Sequence, residues 1–275
     1  MKTLEQAIRD NAGAQAAALS KHLGLSGIVD WVDCTKARLN DFRDAVTERV
    51  APSSARTYIA TLKAILARYE DEGVIPCRDF RKVLTTKGDK PVKTFLSMDE
   101  LNELTKVRTK SANERFVLYS FLVGAFTGMR VSDARAVSPE NIIGDLLTYT
   151  SIKTRIQATI PCGERVRGYI EYIRANDSDL ALSTYNNTIR RLCRRAGLTE
   201  RVKIHKAGRD EVKAKWECVS SHTARISFAT NLAICGTPII EIARMMGHSG
   251  GTQMTERYVA QHKVTLNEKA MAYLQ

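Results

Sequence analysis

Apolar side chains recur at helical spacing through the first third of the chain. Between residues 53 and 72 they fall every three or four positions, at Tyr58, Leu62, Ile65, Leu66 and Tyr69. Residues with this spacing share one face of a helix, and Gly73 follows as a stop signal. Comparable patterns predict helices over residues 3–22 and 35–50, so we expect residues 1–84 to form a small helical bundle.

The pattern disappears at residues 85–94, which read TTKGDKPVKT. Glycine, proline and three lysines without apolar periodicity are typical of an extended, solvated linker. We therefore predict a helical domain over residues 1–84, a linker over 85–96 and a second domain over 97–275.

Helices and one alternating stretch are predicted at the start of the second domain. SMDE at 97–100 and SANE at 111–114 have the spacing of capping boxes. The second box starts an apolar helix over 115–126, which Gly128 ends. The stretch LLTYTSIKTRIQATIP alternates and is rich in β-branched residues, which predicts two short strands joined near Lys153 and Thr154.

Helical patterns return in the rest of the chain. We predict helices over residues 164–174, 183–196 and 221–235, and a further helix with Thr237 as its N-cap and Pro238 as its first residue. The basic stretch from 199 to 219 is expected to hold another hairpin. The predicted fold class is therefore mainly α with a small β-sheet (α+β), with a helical first domain.

The charge balance narrows the choice of partner. The chain has 42 Lys+Arg against 30 Asp+Glu, a formal net charge of +12, and a surplus of this size favours a polyanion such as DNA. Ten basic residues stand against three acidic ones between residues 186 and 215. We expect phosphate contacts from this stretch and from the linker lysines: Arg190, Arg191, Arg194, Lys203, Lys206, Lys87, Lys90 and Lys93.

Features of several other protein classes are missing from the sequence. It has no run of about 18 apolar residues, and its N-terminus lacks the apolar stretch of a signal peptide. We therefore expect a cytoplasmic, nucleoid-associated protein with no membrane partner. The six cysteines are scattered, without a C-x-x-C pair or a nearby histidine at zinc spacing, which favours reduced thiols and predicts neither a metal site nor a cofactor.

Side chains suited to phosphate chemistry gather in the second domain. Arg130 follows the predicted end of the apolar helix, where a charge needs a partner. His222 and Arg225 are three apart at a helix start, whose free N–H groups favour an anion. His248 lies at a glycine-flanked turn, with Tyr258 ten residues later. Taken singly, each of these residues is more often structural than functional.

The order of these residues resembles the boxes that define the tyrosine recombinases, or phage-integrase-like family, in their two-domain form. The boxes are TGMRVSD with Arg130, IKTRIQATIP with Lys153, SHTAR with His222 and Arg225, MGHS with His248, and ERYV with Tyr258. The resemblance covers the second domain from about Ser97 and, more loosely, the helical first domain.

The resemblance implies a role for each of these side chains. Arg130 and Arg225 would bind the scissile phosphate, with Asp133 holding Arg130 in place. Tyr258 would be the nucleophile that forms a 3′-phosphotyrosyl link, and Lys153 would protonate the departing 5′-oxygen. His222 would assist proton removal or position the phosphate, and His248 would donate a hydrogen bond to a non-bridging oxygen.

Two departures from the family pattern bear on these assignments. Asp133 stands where the family often has glutamate, and the segment GHSGGTQMTERY is one residue longer than the common spacing, so Tyr273 remains a fallback nucleophile. Two alternatives stay open: a type IB topoisomerase, against which His222 argues because those enzymes usually have lysine there, and a catalytically silent DNA-binding protein of the same fold.

The resemblance also implies partners and assembly. It predicts site-specific recombination of double-stranded DNA through a Holliday junction, by a protein that is monomeric when free and tetrameric on paired sites. An accessory DNA-bending or directionality protein is an open alternative. The apolar set near the C-terminus, from Val264 to Leu274, either covers its own domain or docks on a neighbouring protomer.

Overall fold

The computed structural model describes residues 2–85, 94–206, 209–248 and 252–259, and for residues 205, 206, 209, 210, 254, 257 and 258 it describes the backbone alone. The chain divides into two compact units, the first made up of residues before the predicted linker ends and the second of most residues after it. The predicted linker lies largely outside the described residues, as do Lys87, Lys90 and Lys93.

The first unit is helical. Its helices are α1 (Leu4–Asn11), α2 (Ala16–Leu25), α3 (Lys36–Arg49), α4 (Pro52–Arg68) and α5 (Phe80–Val83). The apolar faces of these helices enclose one core, whose fully buried members include Leu19, Leu39, Phe42, Leu62 and Phe80. Burial of these stripes away from water is the main force that holds such short helices together.

The prediction of one helix over residues 3–22 is wrong. The chain breaks after α1, where Gly13 adopts a φ of 51° and a short 3-10 turn leads into α2. Glycine reaches this left-handed region without the steric cost that a Cβ brings. The four-residue α5 was not predicted, because so short a segment shows no period.

The second unit combines helices with two small antiparallel sheets, which confirms the predicted fold class. Its helices are α6 (Met98–Thr105), α7 (Ala112–Thr127), α8 (Val131–Ala136), α9 (Glu164–Ala175), α10 (Leu182–Arg195), α11 (Ser221–Ile234), α12 (Ile239–Met245) and α13 (Gln253–Val259). Its strands are β1 (Ile142–Ile143), β2 (Leu146–Thr150) and β3 (Gln157–Pro161) in one sheet, and β4 (Arg201–Lys206) and β5 (Arg209–Ala214) in the other.

Helix α7 is the central element of this unit and packs against α9, α10 and α11. Apolar residues surround it on all sides, as expected of a buried helix, and Phe116, Phe121 and Val123 are almost fully buried. Gly124 lets α11 approach closely, because a Cβ there would stand 3.2 Å from the Cβ of Ala224. The buried helix therefore brings its own end and the start of α11 together.

The two predicted capping boxes differ. Ser97 and Glu100 form the complete box at α6. At α7, Ser111 accepts the Glu114 N–H at 3.2 Å, but the Glu114 carboxylate accepts the backbone N–H of Lys110 and an N–H of Arg195. The second box is therefore only half formed, because an arginine from α10 competes for the carboxylate.

The three-stranded sheet has the order β1-β2-β3, with Leu147 opposite Ile160 and Tyr149 opposite Ala158 on its buried face. Strands β2 and β3 join through residues 151–156, as predicted. The loop is closed by Ser151 N–H donating to the Ile156 carbonyl and Arg155 N–H donating to the Ser151 carbonyl, both at 2.9 Å. The short β1 was not predicted.

The predicted start of α12 is off by one residue. The N–H of Thr237 donates to the Leu232 carbonyl and so belongs to the end of α11. The Pro238 carbonyl instead accepts the first helical hydrogen bonds, from Glu241 and Ile242, and Pro238 is the N-cap. Among the described helices, none is both long and apolar enough to cross a bilayer.

Candidate active site

Arg225 is the most deeply buried cation of the predicted site. It lies in the second turn of α11 and is 1% exposed. One terminal nitrogen, Nη1, donates to the carbonyl oxygen of Gly128, and the other, Nη2, donates to that of Met246 at 2.6 Å. The two carbonyls belong to the residues that end α7 and α12, so the backbone at two helix ends holds the planar guanidinium.

Gly128 shapes this pocket as well as ending α7. Its φ is 71°, and a Cβ at this position would come within 2.5 Å of Cδ1 of Phe228 on α11. A glycine is needed here both for the left-handed conformation and for the close approach. The turn that it makes directs the chain into Arg130, which is the N-cap residue of α8.

Arg130 is held by a relay of two side chains. Its Nη1 donates to Oγ of Ser151 at 3.0 Å, and this hydroxyl donates to Oδ2 of Asp133 at 3.1 Å. The direct distance from Arg130 Nη1 to Asp133 Oδ2 is 4.0 Å, too long for a hydrogen bond. Asp133 therefore acts on Arg130 largely through Ser151.

Asp133 also holds the hairpin that bears Lys153. Its second oxygen, Oδ1, accepts the backbone N–H of Ile152 at 3.0 Å. Ile152 begins the turn between β2 and β3, and Lys153 follows it with an exposed side chain. The carboxylate is 1% exposed, so a buried anion connects the α8 arginine to the lysine turn.

His248 lies close enough to Arg225 and Arg130 for their charges to affect its pKa. It follows Gly247, whose φ of 60° ends α12, and its Nδ1 lies 2.8 Å from Oγ1 of Thr255 on α13. Burial, followed by the nearby charges of Arg225, Arg130 and His222, lowers the pKa of His248 from 6.5 to about 4. The ring is therefore neutral at pH 7, and all four side chains lie within electrostatic reach of one another.

His222 and Tyr258 complete the predicted set. His222 is the second residue of α11 and is exposed, while Arg225, one turn later, is buried beneath it. Tyr258 belongs to α13, one turn after Thr255, and its side chain lies outside the described atoms. Tyr273 also lies outside the described residues.

The basic stretch begins next to the start of α11. Arg190 of α10 donates from Nε to the Val219 carbonyl at 3.0 Å, three residues before His222. Arg194 is exposed and stacks on Trp216, with 5.5 Å between its guanidinium carbon and the ring centroid. Arg191 and Lys203 are also exposed, and the side chain of Lys206 lies outside the described atoms. The predicted hairpin is present as β4 and β5.

Sequence reasoning missed three residues of this site. Ser151 is 0% exposed and carries the relay, Thr255 contacts His248, and the buried Tyr149 lies near both arginines. Burial raises the pKa of Tyr149 above its ordinary value, although Arg225 opposes the shift. The one available signal was the place of Ser151, a small polar residue directly between a strand and the turn with Lys153.

The chemistry of this cluster suits a phosphate. Two guanidiniums offer planar N–H donors that stay charged at any working pH, and the start of α11 adds the N-terminal end of a 14-residue helix. Among the described residues, no group of three or more His, Cys, Asp or Glu is placed to hold a metal ion.

Comparison with known families gives a match over the same part of the chain. The sequence model described as the phage integrase family matches residues 94–264, which include Arg130, Lys153, Arg225 and Tyr258. Among curated proteins, no sequence matches this chain.

Solved structures share the fold over nearly the whole chain. A Tn1549 transposon integrase in complex with a circular intermediate DNA superposes with a TM-score of 0.71 at 15% identity, covering 100% of both chains. A lambda integrase dimer bound to a COC′ core site gives 0.67 at 16% identity, covering 95% of this chain and 96% of that chain. XerH site-specific recombinase bound to a palindromic difH substrate gives 0.62 at 16% identity, covering 87% and 72%.

Proposed function

The chain belongs to the phage integrase family, and on that premise we propose that it is a tyrosine-type site-specific recombinase, which cuts and rejoins double-stranded DNA through a 3′-phosphotyrosyl intermediate. The observation that carries the proposal is geometric: Arg225 donates to the carbonyl of Gly128, two residues before Arg130, and Arg130 is held by Ser151. Two guanidiniums fixed at the turn that follows α7 make a strong anion site.

Arg130 and Arg225 stabilise the transition state. Displacement at a phosphodiester passes through a pentacoordinate state with extra negative charge, and fixed donors aimed at that charge lower its energy. Arg225 is fixed by the backbone of two helix ends, so little reorganisation is needed when the phosphate arrives. This electrostatic work requires no metal ion.

Tyr258 supplies the attacking oxygen. Its phenolic oxygen forms a bond to phosphorus while the bond from phosphorus to the 5′-oxygen breaks. The phenol loses its proton, with help from His222, and the 5′-oxygen gains one from the Lys153 ammonium. The phosphotyrosyl bond retains the energy of the phosphodiester, so a 5′-hydroxyl can reverse the step without ATP.

His248 donates a hydrogen bond to a non-bridging oxygen. When the Thr255 hydroxyl donates to Nδ1, the neutral ring carries its proton on Nε2. A neutral donor fits this place, because burial and then the charges of Arg225 and Arg130 disfavour a third cation, as the low pKa of His248 reflects.

DNA binding follows from the charge of the whole chain and from its domains. We assign DNA-backbone contacts to the linker lysines and to the basic stretch that begins beside α11, and we assign a core-type DNA-binding role to the helical first domain. A lambda integrase tetramer bound to a Holliday junction has a related fold, with a TM-score of 0.63 at 14% identity. That likeness supports a tetramer on paired sites as the working assembly, with nucleoid DNA as its location.

The decisive experiment traps the covalent intermediate. Nicked duplexes made from the DNA that flanks the gene are incubated with wild type, Tyr258→Phe and Tyr273→Phe, and the products are separated on a denaturing gel. We expect a slow protein–DNA band with wild type and Tyr273→Phe and none with Tyr258→Phe, whereas DNA binding and its salt dependence stay unchanged in all three.

Each other result points to a named alternative. A band that needs Tyr273 instead moves the nucleophile to that residue. Binding without any covalent band supports a silent DNA-binding protein. A covalent band with relaxation of supercoiled plasmid, but no joining of paired sites, supports a type IB topoisomerase.

A further inference from the structure

The hydroxyl of Ser151 lies at the junction of two parts of the site. The residue is 0% exposed and directly follows strand β2. Its oxygen accepts from Arg130 and donates to Asp133, at 3.0 and 3.1 Å. A buried hydroxyl with both a charged donor and a charged acceptor has its direction fully fixed, because each bond is charge-assisted.

Because Ser151 stands between them, Arg130 and Asp133 do not interact as a direct ion pair would. A carboxylate bound in two-pronged fashion would engage two N–H donors and partly neutralise the guanidinium. Ser151 engages one of the five N–H donors, and the Asp133 carboxylate stays 4.0 Å away. The neutral Ser151 hydroxyl therefore sets the direction of the guanidinium plane without neutralising the charge of Arg130.

The backbone of Ser151 closes the lysine turn. Its N–H donates to the Ile156 carbonyl, and its carbonyl accepts from the Arg155 N–H. The next residue, Ile152, is bound by the same Asp133 carboxylate that receives the Ser151 hydroxyl. One buried pair of side chains thus fixes the start of the turn that presents Lys153.

We infer that Ser151 is a positioning residue that sets Arg130 and the Lys153 turn in register with each other, so that phosphate binding and protonation of the leaving group occur together. The inference rests on the proposed function, which assigns those roles to Arg130 and Lys153. Ser151 itself touches neither the phosphate nor the departing oxygen.

A sulfur substitution separates the two roles. In cleavage, the phosphorus–oxygen bond breaks and the 5′-oxygen takes a proton from Lys153. A duplex with sulfur in place of this oxygen releases a thiolate, which is stable without a proton because a thiol has a pKa near 8.5 rather than that of an alcohol. Loss of the general acid is therefore rescued by sulfur, whereas loss of Arg130 orientation is not.

The experiment measures single-turnover cleavage of the nicked duplex that gives the covalent band, with oxygen or sulfur at the bridging position. We expect Ser151→Ala to cleave the oxygen duplex about 100-fold more slowly than wild type and the sulfur duplex about 10-fold more slowly. Lys153→Ala, which lacks only the acid, should lose about 100-fold or more on oxygen and regain nearly all of it on sulfur.

Ser120→Ala is the matched control. Ser120 is also a buried serine of the second unit, 1% exposed, with its hydroxyl bonded to the Phe116 carbonyl and to the Tyr185 hydroxyl. Its loss should change the cleavage rate of both duplexes equally and by less than about 2-fold, because it contacts none of the proposed catalytic residues.

The outcomes are separable. A sulfur-to-oxygen rate ratio for Ser151→Ala equal to that of wild type overturns the coupling to Lys153, and rates equal to those of Ser120→Ala overturn any positioning role. If Ser151→Ala does not fold, Ser151→Cys carries the test, with a ratio about 3-fold above wild type expected for its weaker donor. Wild type that forms no covalent band on either duplex refutes the proposed function, and the inference with it.

Discussion

The two arginines of the site are held in opposite ways. Arg225 is buried and donates to two backbone carbonyls at the ends of α7 and α12. The Arg130 side chain is 23% exposed and is held by a serine hydroxyl on a hairpin. The first arrangement is part of the core, and the second depends on the position of a loop.

The difference separates stability from activity. Removing a buried cation leaves unpaired carbonyls and a cavity, so the whole second unit is affected. Removing a partly exposed arginine that is held by a side-chain relay affects mainly the group that it binds. Two residues with the same proposed chemical role should therefore show different costs to the fold.

The largest effects are expected when each arginine is replaced by alanine, which tests whether the two differ in their contribution to stability. We expect both variants to lose about 10³-fold in covalent-adduct formation, the loss of one transition-state donor. Arg225→Ala should also lose about 3 kcal/mol in the free energy of unfolding, and Arg130→Ala less than about 1 kcal/mol. Urea unfolding curves and adduct rates on the same preparations give both numbers.

Equal stability losses in the two variants would break the contrast, because they would mean that the relay supports the fold as much as the carbonyl pocket does. Arg225→Lys sharpens the result, since it keeps the charge but lacks the planar, two-directional donors.

Gly128 offers a second test, in the wall of the Arg225 pocket. Gly128→Ala should lower the free energy of unfolding by about 3 kcal/mol, because the added Cβ is strained at a positive φ and clashes with the ring of Phe228. Gly197→Ala is the matched control: its φ is 81° at the end of α10, but no atom lies within 4 Å of the added Cβ. Its free energy of unfolding should fall by only about 1 kcal/mol, as measured by thermal or urea unfolding.

A loss at Gly128 no greater than that at Gly197 would show that the pocket wall yields easily and that Arg225 is not rigidly held. In that case the distinction between a core-bound and a loop-bound arginine would weaken.

The smallest expected effect concerns His248, whose pKa is affected by the charges of both arginines. Its pKa is about 4 in the folded chain against an ordinary 6.5, so between these values the unfolded chain binds more protons. The free energy of unfolding should therefore fall as the pH drops from about 6.5 to 4. For a half-buried ring we expect a loss of about 1 kcal/mol, present in wild type and absent in His248→Gln.

Parallel pH profiles for wild type and His248→Gln would contradict the lowered pKa. They would also contradict an action of the Arg225 and Arg130 charges on His248, so the two profiles bear on the site as well as on stability.

Much of the second unit could be predicted because its signals are local. Gly128 ends α7 as the sequence indicates, and the alternation around Lys153 gives the hairpin. The first helix was misjudged at Gly13, since helical spacing continues across the break. The family boxes predict which side chains carry the proposed chemistry, but they give no information on what holds them.

The relay and the carbonyl pocket could not be predicted for the same reason. Ser151 and Asp133 are 18 residues apart, and Arg225 and Gly128 are 97 apart. Such contacts follow from tertiary packing, of α7 against α11 for Arg225 and of α8 against the end of β2 for Ser151, rather than from any local pattern. The half-formed box at Glu114 is a third case, because Arg195 reaches it from a helix 81 residues away.

The carbonyl pocket has a practical consequence for capturing this protein on uncleaved DNA. An inactive protein is usually made by removing a residue that binds the reacting group, but here removal of Arg225 also releases the ends of α7 and α12. Complexes prepared with that variant would report a loosened protein as well as an uncleaved substrate. Tyr258→Phe removes one oxygen from a short helix, so it is the better choice for crystals or cryo-EM grids.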